Sequence, residues 1–347
     1  MKRYILWIIM LLTGLNSLGQ NFFENIKPDV NTYLTHYAAP LFEANMINFS
    51  DGWAHRAKTL KTFHFSLDLM ADYTFIPSQK QYFKFIPTEY ETLSVLDENG
   101  NPVNEPLTLP TLLGGDSNYR ILMETEGSLP GTKNRLIIDV PNGYKKELEN
   151  IIEGLPLGMP GAMIQIRAGL PFHSEIMFRY FPAIHIPPTK IDFMGIGFKH
   201  DIGRFLFRKS PFHLAILASY TSGHIKTAAP DYPDMKGTFQ ITTLNFQTFA
   251  SFDWKFLSIY GSMGIIKGNN SLQLLGEIQY EYEIVDNSGH VIGIKPETIN
   301  NPVDLNFSLL TATSSAGILL NLKFLHIFVQ YNIQNYSGLH AGISIVL

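Results

Sequence analysis

Cysteine is absent from all 347 residues, which excludes a disulfide scaffold, a thiolate metal site, a cysteine nucleophile and a lipid-anchored N-terminal cysteine. Charge is scarce as well: Asp, Glu, Lys and Arg make up 16% of the chain, against about 25% in an ordinary globular domain. The scarcity is local, for Lys323 is the only formally charged side chain between Leu305 and Leu347. A net charge of −4 offers no electrostatic footprint for nucleic acid. A helix-length apolar run is missing too. The longest uncharged stretch before the C-terminal tail, Leu305 to Leu322, carries Asn306, Ser308, Thr311, Thr313, Ser314, Ser315 and Asn321, a costly set on a lipid-exposed helix. Catalytic spacings are equally thin, with no phosphate loop, dinucleotide fingerprint, paired-histidine helix or Gly-x-Ser-x-Gly elbow. "GGDSN" (114–118) reads as a turn. His64 and Asp68, at i and i+4 on one strand, stand about 13 Å apart, too far for a dyad. No enzymatic activity, cofactor or metal is expected.

What is present begins with an address. Lys2 and Arg3 precede the apolar run Tyr4 to Leu12, and Ser17 and Gly19 are small residues ahead of a cut before Gln20. Residues 1–19 therefore read as a secretory signal peptide, too short for a spanning helix. An exported chain without a spanning helix can still cross a membrane as a closed barrel, where every backbone group pairs with a neighbouring strand.

Alternation supports that route. In "TFHFSLDLM", Phe63, Phe65, Leu67 and Leu69 share one face, while Thr62, His64, Ser66 and Asp68 share the other. "AMIQIRAGL" sets Ile164 and Ile166 against Gln165 and Arg167. "SEIMFRYF" sets Ile176, Phe178 and Tyr180 against Glu175 and Arg179. "NSLQLLGEIQYEYEI" (270–284) reads as one more spanning strand, with Ile278, Tyr280 and Tyr282 on an oily wall and Glu277, Glu281 and Glu283 on an acidic one. Tyr and Phe number 16 and 25, and many fall near strand ends, as interfacial girdles require. The last strand puts Leu339, Ala341, Ile343, Ile345 and Leu347 on one parity, so the chain ends on an outward apolar residue, here Leu where such barrels usually end in Phe.

Two regions break the alternation. Residues 20–58 show helical spacing at Val30, Tyr33, Leu34 and Tyr37, between Pro28 and Pro40, followed by a turn-rich loop around Gly52 and Trp53. This segment packs either inside a barrel or under it. Residues 77–161 read as long loops and extended hairpins. They hold a short helix capped by Asn142, with Leu148, Ile151 and Ile152 as its apolar face and Gly154 at its end.

Three stretches, "YAAPLFEANMINFSDGWAHRAK", "GLPFHSEIMFRYFP" and "GIGFKHDI", together carry a family likeness. The mature chain resembles an uncharacterised family of Bacteroidota-type outer-membrane β-barrel proteins, itself distantly similar to the long-chain fatty-acid transporter barrels. The resemblance implies an all-β transmembrane antiparallel barrel of about 14 strands over residues 59–347, with the N-terminal segment tucked into the lumen. It carries no catalytic or binding residue over.

The inward polar residues His64, Asp68, Arg167, Glu175, Arg179, Glu277 and Glu281 are the candidate lumen lining. Trp53 and Arg56 are the candidate plug contacts. In a hydrated lumen such charges stay solvated or pair; in a dry one they would be very costly. The lining could serve a pore or the N-terminal segment, or merely fill the lumen. The resulting expectation is a channel or transporter for a small molecule, hydrophobic ones included, in the outer membrane of a Gram-negative bacterium. The alternative is a non-transporting scaffold barrel that contacts surface proteins through residues 77–161. Expected partners are membrane lipid, an unidentified small ligand and, in the scaffold reading, a surface protein.

Overall fold

The computed structural model describes residues 21–149, 154–186, 189–207, 210–229 and 232–347. The expected signal peptide lies outside the described residues, as do Ile151 and Ile152. In chain order the elements are α1 (Phe22–Ser50), β1 (Phe65–Phe75), β2 (Tyr82–Phe85), β3 (Leu93–Leu96), β4 (Leu107–Pro110), β5 (Arg120–Glu126), β6 (Thr132–Asp139), α2 (Lys145–Glu149), β7 (Gly158–Leu170), β8 (Ser174–Ile186) and β9 (Thr189–Asp201). After a single turn, α3 (Gly203–Leu206), come β10 (Phe212–Ala229), β11 (Tyr232–Asp253), β12 (Leu257–Leu275), β13 (Glu277–Asp286), β14 (Val291–Asn300), β15 (Val303–Leu322), β16 (Leu325–Ile333) and β17 (Gly338–Val346). Among the described residues, no helix is long and apolar enough to cross a membrane.

Ten strands close into an antiparallel barrel in the order β1-β17-β16-β15-β12-β11-β10-β9-β8-β7, and β7 returns to pair with β1. The expected count of about 14 is therefore too high. Four of the strands run for 18 to 22 residues, so they rise well past any bilayer. The short strands between β1 and β7 never join the wall.

Polarity turns inside out along the barrel's height. On β15 the outward residues change from Asp304, Asn306 and Ser308 to Leu310, Ala312, Ile318 and Leu320, while the inward ones change from Val303, Leu305, Phe307 and Leu309 to Thr311, Thr313 and Ser315. Period two fixes which residues share a face, but not which face is dry. In the lower half apolar side chains face outward and polar ones inward; Ile164, Ile166, Ile176, Phe178 and Tyr180 are exposed, whereas Gln165, Arg167, Glu175 and Arg179 are buried. In the upper half the apolar side chains face inward onto a helix. Leu272 and Leu274, which share the parity of Ile278 and its oily wall in the 270–284 stretch, pack with Phe42, Phe307 and Ile241 inside.

The stretch expected as one strand over 270–284 is two. β12 ends at Leu275, and Gly276 turns the chain at φ +135°, a conformation open to residues without a Cβ. Asn301 clasps this hinge from the far side, its side chain accepting the Gly276 N–H at 3.0 Å. β13 then pairs with β14 and β6 in a five-stranded sheet ordered β14-β13-β6-β5-β3. This sheet and the β2–β4 pair form a cap over the barrel's upper end.

α1 joins cap and barrel, and it runs for 29 residues through both Pro28 and Pro40 rather than ending at the second. A proline inside a helix costs about 3 kcal/mol, which burial on both sides of the break outweighs. Tyr33 and Tyr37 pack into the cap core with Phe85, Tyr90 and Ile121. Asp29 pins the helix there, its Oδ2 accepting backbone N–H bonds from Glu91, Thr92 and Leu93 at 2.8, 2.5 and 3.1 Å. Desolvation holds the Tyr37 and Tyr90 phenols up at about 12, so both stay neutral. Beyond Pro40 the helix enters the barrel, where Phe42, Ala44, Met46 and Ile47 are buried around its circumference. A helix covered on all sides needs no polar face, so the amphipathic signal fades there.

Candidate functional site

Below α1, residues 51–60 run without regular structure among the inward side chains of the lower barrel. Irregular backbone in a closed interior needs partners for its N–H and C=O groups. The strands supply them. Asn245 Nδ2 donates to the Ser50 carbonyl at 2.8 Å, and Gln165 Nε2 donates to the Trp53 carbonyl at 3.2 Å. The Ala57 N–H reaches Ser251 Oγ at 3.1 Å. Lys199 Nζ donates to the carbonyls of Arg56 and Lys58 at 3.2 and 3.4 Å, and the Leu60 N–H meets Glu175 Oε2 at 2.8 Å.

The same side chains bind one another. Arg167 forks onto Asp68, with Nε to Oδ2 at 2.6 Å and Nη2 to Oδ1 at 3.0 Å. Ser66 and Ser344 complete that pair, accepting from Arg167 Nη2 at 3.0 and 2.8 Å. Glu175 Oε1 lies 3.4 Å from both Arg167 Nη1 and Lys199 Nζ. Asp68, Arg167, Glu175 and Lys199 are all buried. Breaking such a cluster leaves an unpaired charge, so its members hold each other in place. Lower on the wall, His213 Nδ1 lies 2.6 Å from Asp201 Oδ2, and Ser251 donates to Asp253 at 2.8 Å.

Trp53 has its own seat. Its ring lies under the Arg179 guanidinium, 4.1 Å from ring centroid to Cζ, and against Gly195 and Gly197 on β9. A Cβ at 197 would stand 2.7 Å from the indole, so glycine there makes room for tryptophan. Gly52 is tighter still: its φ is +69°, and a Cβ would fall on the His340 ring.

The residues singled out in the sequence are thus divided. Asp68, Arg167, Glu175 and Arg179 meet in the lower barrel with Trp53 and Arg56. His64 is exposed just before β1. Glu277 and Glu281 stand on β13, outside the barrel, because the Gly276 turn carries that strand into the cap sheet; Glu283 there pairs with Arg135 at 2.8 Å. Arg56, a candidate plug contact, and Lys58 meet the wall through their carbonyls, which accept from Lys199. Lys199, Ser66, Ser344 and Gln165 belong to the cluster but were not singled out. Lys199 shares the inward parity of Gly195 and Gly197 within "GIGFKHDI", which was the available signal.

A closed ten-stranded antiparallel barrel with an outward apolar belt, a capped upper end and a polar lower interior defines the class of protein. The whole chain, residues 1–347, matches the family of unknown function DUF6588, and the chain belongs to that family. No curated protein matches it in sequence. Similar solved structures include Ail, the attachment invasion locus protein of Yersinia pestis, at 7% identity and a TM-score of 0.24, covering 82% of this chain and 99% of that one. The translocator domain of the autotransporter NalP from Neisseria meningitidis gives 10% identity and a TM-score of 0.31, covering 90% and 98%. A FadL homologue of Pseudomonas aeruginosa gives 9% and 0.21, covering 82% and 90%. The barrel is established by the chain's own strand pairing.

Proposed function

We propose that this protein is an outer-membrane channel or transporter for a small hydrophobic or amphiphilic molecule, with residues 20–58 as an internal plug. One observation carries the reading: the lower lumen is occupied by a tethered, irregular segment bound through its backbone to side chains from several strands. Such a segment can be withdrawn without dismantling the wall, since no β-ladder is lost with it. Short connections at the lower end and the large cap at the other fit the periplasmic and outer faces of outer-membrane barrels.

The test is conductance. Deleting Gln20 to Lys58, with the signal peptide kept, leaves an inserted barrel with higher single-channel conductance in planar bilayers. The milder pair Glu175→Gln with Lys199→Met, which removes anchors of residues 56–60, shifts conductance the same way. A truncated barrel that inserts and conducts no more than the full chain overturns the plug. A scaffold reading is favoured by one feature, the cap's edge strand β14, whose Val291, Ile292 and Ile294 are exposed. Silent bilayers for both forms would favour the scaffold over the channel.

A further inference from the structure

The ladder between β7 and β8 opens before either strand ends. Pairing runs from Leu170–Ser174 up to Ile164–Tyr180 and stops, while β7 continues along β1 to Gly158 and β8 continues along β9 to Ile186. Above the break, β8 slips register against β9 between Phe181 and Ile184, and Asn48 of α1 donates its Nδ2 to the Met159 carbonyl of β7 at 3.1 Å. A cavity of about 180 Å³ crosses the wall at this seam. Tyr180 and Met194 line its outer mouth, both about half exposed on the apolar belt; Phe49, Met163, Phe193 and Arg179 line its inner end.

Arg179 is the anomaly. It is 3% exposed, yet its contacts are a neutral amide oxygen (Gln165 Oε1 at 2.8 Å from Nε), a thioether (Met163 Sδ at 3.3 Å from Nη1) and the Trp53 ring. Nη2 has no hydrogen-bond partner. Among the described residues no carboxylate comes within ion-pair distance, whereas Arg167 and Lys199 in the same lumen each have one. Of the acidic groups further away, Asp68 is bound to Arg167 and Asp51 to Gln334, while Asp72 meets His340 through Oδ1 and holds its Oδ2 beyond ion-pair distance of Arg179 without a hydrogen-bond partner. A buried guanidinium without an anion is costly, and its free N–H groups are suited to an oxyanion.

We propose that the β7–β8 seam binds an anionic amphiphile from the bilayer, its oxyanion head on Arg179 and its chain leaving between Tyr180 and Met194. The cavity is smaller than the ~300–1,000 Å³ that encloses a whole drug-sized ligand, which suits a head and first carbons whose tail stays in lipid. The proposal rests on the apolar belt facing lipid, as in the proposed function, but not on transport.

Trp53 reports on the site from beneath Arg179. In Trp254→Phe protein in phosphatidylcholine nanodiscs, α-bromolaurate quenches Trp53 saturably, and its uncharged methyl ester binds about tenfold more weakly or worse, the loss expected when a charge-assisted hydrogen bond is absent. Arg179→Gln weakens the acid by a similar factor and leaves the ester unchanged. Because that variant also removes a Trp53 contact, Ala162→Phe is the second probe: it obstructs the outer mouth, spares Arg179 and lowers affinity for the acid. Dodecyl phosphate competing as well as laurate makes the head site general for oxyanions, and competition by laurate alone makes it a carboxylate site; either supports the proposal. Acetate or inorganic phosphate competing at the same concentration would show a free-anion site and overturn the amphiphile. Equal quenching by acid and ester, or an Arg179→Gln protein that binds the acid as tightly as before, overturns the site itself. Conductance is read separately, so a plug that fails its test leaves a positive seam standing, and the reverse.

Discussion

At the scale of single residues, the lower lumen is governed by paired, buried charges. Arg167 spends its N–H groups on Asp68, Ser66, Ser344 and Glu175, and Asp68 in turn accepts from Ser66 and Gln165. Removing one member of such a buried pair costs about 3–5 kcal/mol, because the other charge is stranded; replacing both costs much less. Arg167→Met is therefore expected to lower the urea midpoint of the barrel in liposomes strongly, while Asp68→Asn combined with Arg167→Met recovers much of the loss. Additive losses in the double variant would show that the two side chains act independently. Asp68, Arg167 and Glu175 were legible in the sequence because a charge on the minority parity of an apolar strand must point somewhere wet or paired. Their partners were not, since Ser344 is 276 positions from Asp68 in the chain.

At the scale of elements, a strand's alternation fixes its two faces but leaves their environments open. Ile166 and Ile278 look alike in sequence, each an isoleucine between polar neighbours. Ile166 lies on β7, half exposed on the outward belt; Ile278 lies on β13 in the cap sheet. An arginine facing lipid near the midplane costs about 2–4 kcal/mol, and one in an aqueous cap costs far less. Ile166→Arg should thus impair insertion into liposomes, scored by heat-modifiable gel mobility, and Ile278→Arg should insert like the parent. Loss of insertion at both sites would contradict the placement of β13 outside the membrane, and loss at neither would contradict a lipid-facing belt at Ile166. The helix gives a parallel case. Its cap half shows the spacing Val30, Tyr33, Leu34, Tyr37, while its barrel half loses periodicity because the upper barrel surrounds it.

At the scale of the whole molecule, closure joins the two ends of the barrel sequence. Phe65 and the C-terminal Leu347 exchange backbone hydrogen bonds at 3.1 and 2.9 Å, yet the Leu347 side chain is 77% exposed and has little packing to lose. Leu347→Asp should accordingly leave refolding in detergent nearly unchanged. Assembly in cells should fall sharply if the outward terminal residue is read during insertion. Equal yields of folded barrel in cells for parent and variant would remove that role.

By itself the sequence determined the all-β class, the strand parity of β1, β7 and β8, and the helical character of the segment before them. These are local matters, set by period two, period 3.6 and the cost of burying charge. Tertiary structure alone decided that ten strands close rather than about 14, that 270–284 is cut by Gly276 into a wall strand and a cap strand, and that α1 passes both prolines. It also decided which face is dry at each height of the barrel. A long strand can carry one alternation through two environments, apolar outward against the belt and apolar inward around a helix. Only the position of that helix selects between them.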